Sequence, residues 1–147
     1  MSIDDSLHLD NQICFPLYAA ANAMVRLYRP LLDVLGLTYP QYLALLVLWE
    51  EDGRSVGELG KLLRLDSGTL TPLLKRLEAA GLVARQRDPA DERRVVITLT
   101  AAGRKLKTRA REVPGKLLCE VPLPLGELVE LRSRLNTLMA ALENPDK

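Results

Sequence analysis

Two short leucine-rich helical patterns joined by a tight break leave few folds open to this sequence. Ser55 and Glu58 form a capping box that predicts the start of the first helix, and the break falls at 65–67. Apolar residues recur at three- and four-residue spacing on each side of the break, which predicts one buried face per helix. These residues are Val56, Leu59, Leu62 and Leu63 in the first helix, and Leu70, Leu73, Leu74 and Leu77 in the second.

Two β-type runs follow the helical pair. They cover Leu82–Arg87 and Arg94–Leu99, and the turn-forming residues 88–93 lie between them. A helix pair followed by a hairpin with a charged tip is the order of a winged helix-turn-helix. We therefore predict a mainly α-helical chain with a small, two-stranded β wing.

Helix signals also flank this core. Apolar spacing predicts a helix over Cys14–Leu32 that stops at Gly36. Thr38 and Gln41 form a second capping box, ahead of a nearly apolar helix that we expect to be buried. Beyond the wing, Thr100 is the expected N-cap of a fifth helix that ends near Cys119.

The last predicted helix carries a heptad seam. Such a seam packs either on its own domain or on a second copy, and the spacing fits both. Its residues are Leu128, Leu131, Leu135, Leu138 and Leu142.

Length and composition restrict the class of protein. A chain of 147 residues corresponds to one domain, and 48% hydrophobic with 27% charged residues is typical of a globular protein rather than a disordered one. The longest apolar run, Tyr42–Trp49, is far shorter than the roughly 20 residues of a membrane-spanning helix. The first residues also lack the pattern of a signal peptide, so we expect a cytoplasmic protein without a membrane partner.

The net charge of +1 conceals an uneven distribution of charge. Up to Gly53 there are two basic and seven acidic residues, whereas the remainder has 18 basic and 12 acidic ones. The segment that contains the predicted wing is therefore basic, as a nucleic-acid partner requires.

The second helix of the pair and the hairpin carry groups suited to duplex DNA. Small hydroxyls at Ser67, Thr69 and Thr71 allow close approach to base edges, and helix N-terminal amides favour a phosphate. Wing arginines at 85, 87, 93 and 94 are positioned for phosphates or the minor groove. The alternative is a solvated helix face and a salt-bridged hairpin, in which Asp91 pairs with Arg93.

Two cysteines lie 105 positions apart. Isolated cysteines in a cytosolic protein are commonly inert, but Cys14 starts a predicted helix, where the dipole favours the thiolate that attacks peroxides. Oxidation to a sulfenic acid permits condensation with a second thiol, and Cys119 is the other cysteine of the chain. A phenol such as Tyr28 can donate to a thiolate, but fourteen residues of one helix place it about 21 Å from Cys14, so such a bond has to cross a dimer interface.

At this point the sequence resembles a known family. Residues 10–15, 28–32, 37–42 and 65–76 closely resemble the organic hydroperoxide resistance regulators of the MarR family, in the subgroup with two cysteines. The wing residues 91–93 with Leu99 and Thr100 resemble MarR proteins generally. The resemblance implies a homodimeric repressor that binds a pseudopalindromic operator on double-stranded DNA and leaves it when organic hydroperoxide oxidises the N-terminal cysteine.

The resemblance also implies roles for individual residues. Cys14 is the expected sensor, Cys119 the resolving thiol of an intersubunit disulfide, and Tyr28 and Tyr39 of the partner subunit the donors to the Cys14 thiolate. Residues 1–37 and 100–147 are the expected dimerisation helices of a single domain, and 38–99 its winged helix core. The expected DNA-binding residues are Ser67, Gly68, Thr69, Thr71, Pro72, Lys75 and Arg76 on the recognition helix, with Arg87 and Arg93 on the wing.

Two other functions remain open on the sequence. The same cysteines fit a thiol peroxidase, although the wing would then be unexplained. A MarR-like regulator released by a small aromatic ligand is the other alternative, and its cysteines would be dispensable. We expect no cofactor and no metal, because no His/Cys cluster, nucleophile elbow or phosphate-binding glycine loop is present in the sequence.

Overall fold

The computed structural model describes residues 2–144. Contacts divide the chain into two compact units, Met1–Val113 and Pro114–Lys147. After two short 3₁₀ turns, the elements in chain order are α1 (Cys14–Asp33), α2 (Tyr39–Glu50), β1 (Arg54–Ser55), α3 (Val56–Leu63), α4 (Ser67–Ala79), β2 (Val83–Asp88), β3 (Asp91–Leu99), α5 (Ala101–Ala110), α6 (Val113–Glu120) and α7 (Leu125–Glu143).

The turn between α1 and α2 forms as its residues predict. Gly36 has a φ of +70°, a left-handed conformation that glycine adopts without strain. The Gln41 backbone N–H donates to Thr38 Oγ1, and the Thr38 N–H donates to Gln41 Oε1 at 2.9 Å, which completes the capping box. The start of α2 is therefore determined by local hydrogen bonds.

The hydrophobic core of the first unit is built around α2. Leu45 and Leu48 on this helix are at most 1% exposed, as expected of a nearly apolar helix. Helices α3 and α4 and the sheet pack on α2 through Leu59, Leu70, Leu74, Leu77, Val83 and Ile97. Burying each such side chain stabilises the fold by about 1.5–3 kcal/mol, so α3 and α4 are held mainly from their inner faces.

The predicted helix-turn-helix is formed by α3 and α4. Arg64 ends α3 in a left-handed conformation with a φ of 54°. Asp66 then caps α4, because its Oδ1 accepts from the Thr69 backbone N–H at 2.7 Å. Gly60 permits the tight turn, since a Cβ there would lie 2.9 Å from the Leu65 carbonyl oxygen.

The predicted two-stranded wing is formed by β2 and β3, and the sheet has a third strand that was not predicted, in the order β1-β3-β2. The additional strand is β1, whose Arg54 lies opposite Ile97 of β3. The predicted loop over 88–93 was also too long, because β2 and β3 leave only Pro89 and Ala90 between them. A register shift at Arg87/Asp88 and a bond from the Ala90 N–H to Asp88 Oδ1 close this turn.

The fifth helix starts at its predicted N-cap but is interrupted before Cys119. Thr100 Oγ1 accepts from the Gly103 N–H at 3.1 Å, and α5 then ends at Ala110. Pro114 explains the interruption, because proline lacks the N–H that a continuous helix needs and disfavours the α conformation of the preceding residue. It is tolerated in the first turn of α6, which begins at Val113.

In the second unit, α7 carries the predicted heptad leucines. None of its residues is buried, and Leu131 and Leu142 are 49% and 71% exposed. The apolar seam is thus largely exposed in the single chain. Dimerisation through the terminal helices stays a prediction, as does the division into dimerisation helices and a DNA-binding core.

Candidate DNA-binding surface and thiol site

The recognition helix α4 presents its predicted residues away from the core. Its inner face is filled by buried leucines, whereas the opposite residues are exposed apart from Thr71, which is half-buried. This alternation follows from the 3.6-residue period of the helix. The exposed set comprises Ser67, Gly68, Thr69, Pro72, Lys75 and Arg76.

A carboxylate occupies the N-terminal end of α4. Hydrogen bonds from Thr69, first its backbone N–H and then its side chain, lower the pKa of the exposed Asp66. The charged Asp66 accepts the hydrogen bond of the Thr69 N–H, one of the helix N-terminal amides that were predicted to favour a DNA phosphate. Any phosphate near this helix therefore has to be bound by groups other than the Thr69 N–H.

The four wing arginines have different surroundings. Arg87 Nη1 donates to the Glu92 carbonyl oxygen at 2.8 Å. Arg93 Nε lies 3.3 Å from Asp91 Oδ1, and its side chain is 94% exposed. An ion pair this exposed is weak, so it leaves Arg93 free to exchange partners at the tip of the wing.

The Arg94 side chain is paired with two carboxylates of the protein. Its Nη2 donates to Glu58 Oε1 at 2.6 Å, and its Nε lies 3.9 Å from Asp88 Oδ2. Glu58 also accepts from the Ser55 hydroxyl at 3.2 Å. These bonds join β3 to the first turn of α3, so the orientation of the wing is coupled to the helix-turn-helix.

Cys14 is the first residue of α1 and is exposed. The N-cap residue Ile13 provides no side-chain hydrogen bond to the first turn. Free amides and the helix dipole therefore favour negative charge at this end of α1. Cys14 thus lies at the start of a helix, as predicted.

Tyr28 and Tyr39 lie together, with ring centroids 4.7 Å apart. Tyr42 joins them at 5.7 Å from Tyr28 and 6.4 Å from Tyr39. Burial raises the pKa of Tyr28 to about 12, with smaller contributions from the charges of the other two phenols. All three phenols are thus protonated near neutral pH and are available as hydrogen-bond donors.

The tyrosine cluster was only partly predicted. From the sequence, Tyr42 was recognised only as the first residue of the longest apolar run. Its spacing of three from Tyr39 is the signal that could have placed both rings on one face of α2. Cys14 and Tyr28 do belong to one uninterrupted helix. Fourteen residues separate them by about 21 Å, so no Tyr28 bond to Cys14 forms within one chain.

Cys119 lies in the last turn of α6, in the second unit, and is exposed. Both cysteines are free thiols. The pairing of Cys14 with Cys119 and the roles of the individual site residues stay predictions.

Other kinds of site have no support in the part of the chain that the structure describes. Within residues 2–144, no three His, Cys, Asp or Glu side chains are grouped as a metal site requires. No helix in the same range is long and apolar enough to cross a membrane.

Comparison with known proteins gives the family. A family model described as transcriptional regulator SarA/Rot matches residues 26–110. The organic hydroperoxide resistance transcriptional regulator of Bacillus subtilis is 49% identical over 94% of this chain and 94% of its own length. The HTH-type transcriptional regulator TtmR of Methylorubrum extorquens is 52% identical over 97% of this chain and 76% of its own length.

Among solved structures, AbfR of Staphylococcus epidermidis is similar in three redox states: reduced, overoxidised and disulfide-bonded, the first two bound to DNA. Its reduced, DNA-bound form has a TM-score of 0.80 and 35% identity, covering 97% of this chain and 100% of its own. Its disulfide form has a TM-score of 0.63 and 37% identity, covering 92% and 96%.

These relatives are transcriptional regulators and not enzymes, which removes the peroxidase alternative. The similar solved structures confirm the predicted fold class. The exposed face of α4 and the arginine-bearing wing are arranged as a winged helix needs for DNA. The chain belongs to the MarR family of winged helix transcriptional regulators, in the group formed by the organic hydroperoxide resistance regulators and their SarA/Rot-type relatives.

Proposed function

We propose that this protein is a dimeric repressor that leaves its operator when an organic hydroperoxide oxidises Cys14. The observation that carries the proposal is the exposed Cys14 at the uncapped start of α1. The B. subtilis relative is named for organic hydroperoxide resistance, and structures of AbfR exist both in a reduced form on DNA and in a disulfide form. As a DNA-bound regulator it acts in the cytoplasm.

The chemistry proceeds in two balanced steps. The Cys14 thiolate attacks the hydroperoxide, so that an S–O bond forms, the O–O bond breaks, and an alcohol leaves after taking up a proton. The Cys119 thiol then attacks the sulfenic acid, forming the disulfide and releasing water. The hydroperoxide is the oxidant, and no other co-reactant is needed.

The partner subunit provides the donors to Cys14 in this proposal. The distance of about 21 Å along α1 prevents Tyr28 from reaching Cys14 of its own chain. Tyr28 and Tyr39 are adjacent and remain protonated, which suits donation to a thiolate that faces them. First helices running antiparallel past each other would bring the two sites together.

DNA is read by α4 and the wing. Ser67, Gly68, Thr69 and Thr71 approach base edges, while Lys75 and Arg76 contact phosphates. Arg87 and Arg93 extend from the wing towards the adjacent backbone or minor groove. Pro72 shapes the exposed face of α4 without providing a donor.

The disulfide would act by moving the two recognition helices relative to each other. Half-sites on a duplex recur at about 34–36 Å, so a shift of several Å weakens binding by both heads together. A pseudopalindromic operator is expected for the same reason.

A titration of DNA binding with cumene hydroperoxide tests the proposal. The probe is a duplex that the reduced protein itself selects from a random library, followed by fluorescence anisotropy. We expect the wild-type protein to release it, Cys14→Ser and Cys119→Ser to keep it, and a thiol reductant to restore binding by the oxidised wild-type protein. Release by Cys14→Ser at the same peroxide concentration would sink the thiol mechanism.

The aromatic-ligand alternative has one observation in its favour. A cavity of about 180 Å³ lies between α1 and the start of α2, lined by Arg29, Leu37 and Tyr39 among others. A cation and a phenol beside apolar side chains suit a small aromatic carboxylate. In that case salicylate would release DNA equally from the wild-type protein and from Cys14→Ser.

A further inference from the structure

A groove between the wing and the helix-turn-helix is not explained by the site described so far. It has a volume of about 680 Å³ and is bounded by the start of α3, by Thr71 of α4 and by the two long strands. Arg85, Arg93 and Arg94 line it, with Asp91 as the acidic lining residue. The groove is thus a cationic channel beside the recognition helix.

The three arginines of the groove are not equivalent. Arg93 is paired with Asp91, and Arg94 with Glu58 and Asp88. Among residues 2–144, Arg85 has no carboxylate within ion-pair distance of its guanidinium, and its buried Nε has no hydrogen-bond partner. Of the three groove arginines, Arg85 is therefore the one whose side chain has no anionic partner among residues 2–144.

The backbone of Arg85 is nevertheless fixed. Its N–H donates to Glu78 Oε2 at 3.1 Å, which ties β2 to the C-terminal part of α4, and Arg85 lies opposite Ile97 in the sheet. The side chain thus leaves a rigid strand at the base of the wing, next to Thr71. Its guanidinium carries a positive charge without a carboxylate partner among residues 2–144, and an anion in the groove would supply one.

We propose that this groove binds a phosphate of the DNA backbone, with Arg85 as its principal ligand. The assignment rests on the proposed DNA-binding function and extends it to a residue outside the recognition helix and the wing tip. A phosphate is the expected anion because guanidinium binds it in a bidentate manner. It is also the anion that borders the major groove when α4 lies within it.

The groove complements the cap of α4. Asp66 accepts from the Thr69 amide, so a phosphate near the start of α4 has to be bound by other groups. Arg85 supplies the positive charge on the other side of Thr71. A phosphate at Arg85 would orient α4 relative to the base edges without reading them.

The salt dependence of DNA binding tests this assignment. For a duplex of mixed sequence, the magnitude of the slope of log K against log salt concentration should decrease by about 1.8 in Arg85→Gln, because the proposed dimer loses one phosphate contact per subunit at about 0.9 each. Arg85→Lys keeps the charge and should keep the wild-type slope, a result that misfolding of Arg85→Gln would not produce. Arg134→Gln removes an equally charged side chain, 79% exposed, from α7, which is not part of the proposed DNA-binding surface, and should leave the slope unchanged.

Each other outcome contradicts a different claim. A wild-type slope in Arg85→Gln would overturn the phosphate site, and an equal loss in Arg85→Lys would assign Arg85 a structural role. Calorimetry with inorganic phosphate and no DNA separates the source of the anion, since binding heat lost in Arg85→Gln would reassign the groove to a free phosphate. A wild-type protein that binds no duplex at all would refute the proposed function itself.

Discussion

The hydrogen bond between Glu58 and Arg94 gives a sharp prediction about how the wing is used. The two side chains are 40% and 46% exposed, so the 2.6 Å pair should contribute about 0.5–1 kcal/mol rather than the larger value of a buried pair. If Arg94 only positions the wing, breaking the pair from either side costs DNA affinity no more than this free energy. Glu58→Gln and Arg94→Gln should therefore each weaken DNA binding by about two- to five-fold.

A double-mutant cycle supplies the test. Dissociation constants for one duplex are measured by fluorescence anisotropy for the wild type, both single variants and the double variant, and urea unfolding gives the matching stabilities. We expect the loss in the double variant to be smaller than the sum of the two single losses, because both substitutions remove the Glu58–Arg94 contact and each removes only one longer pair of its own, Glu58 with Arg54 and Arg94 with Asp88. The reasoning would be refuted if Glu58→Gln bound more tightly while Arg94→Gln bound more weakly, since Arg94 would then be a direct DNA ligand competing with Glu58.

Three further predictions concern the turn, the cap and the tyrosines. Gly60→Ala should lower the free energy of unfolding in urea melts by about 1–3 kcal/mol, because its Cβ would meet the Leu65 carbonyl oxygen at 2.9 Å. The control Gly57→Ala has its nearest atom at 3.9 Å and should be neutral or stabilising. Asp66→Asn should keep the cap and strengthen DNA binding in an anisotropy titration by removing a negative charge. Because the folded-state pKa of Asp66 is lowered, the stability that its charge adds should be present above its ordinary pKa of 3.8 and vanish as the pH falls, which thermal melts of the wild type and Asp66→Asn would detect. The phenol of Tyr28 should titrate near pH 12 in ultraviolet absorbance and at lower pH in Tyr42→Phe; an unchanged titration would argue against coupling between the rings.

Local signals predicted most of the helices. The capping residues Thr38, Ser55 and Thr100 each bond to a backbone N–H three residues later, so their effect is contained within one turn. Gly36 has a positive φ where the sequence indicated a helix end. Such interactions can be recognised without knowledge of the rest of the fold.

Features that depend on distant residues were missed. Strand β1 is two residues long and exists because it pairs with β3, more than 40 positions away. Whether a wing arginine is exposed or paired within the protein depends on distant groups such as Glu58, which binds Arg94 and which the sequence indicated only as a capping residue. The groove at Arg85 likewise arises from three separate segments, so no local pattern in the sequence could reveal it.

The central claim is that oxidation of Cys14 releases DNA. It is tested most directly by measuring both quantities in one sample: the fraction of Cys14 oxidised, by mass spectrometry after alkylation, and the fraction of duplex released, by anisotropy, as cumene hydroperoxide is added. The account predicts that the two fractions rise together and that both remain near zero when Cys14 is replaced by serine. DNA that stays bound when Cys14 is fully converted to the disulfide, or that leaves while Cys14 is still reduced, would contradict it.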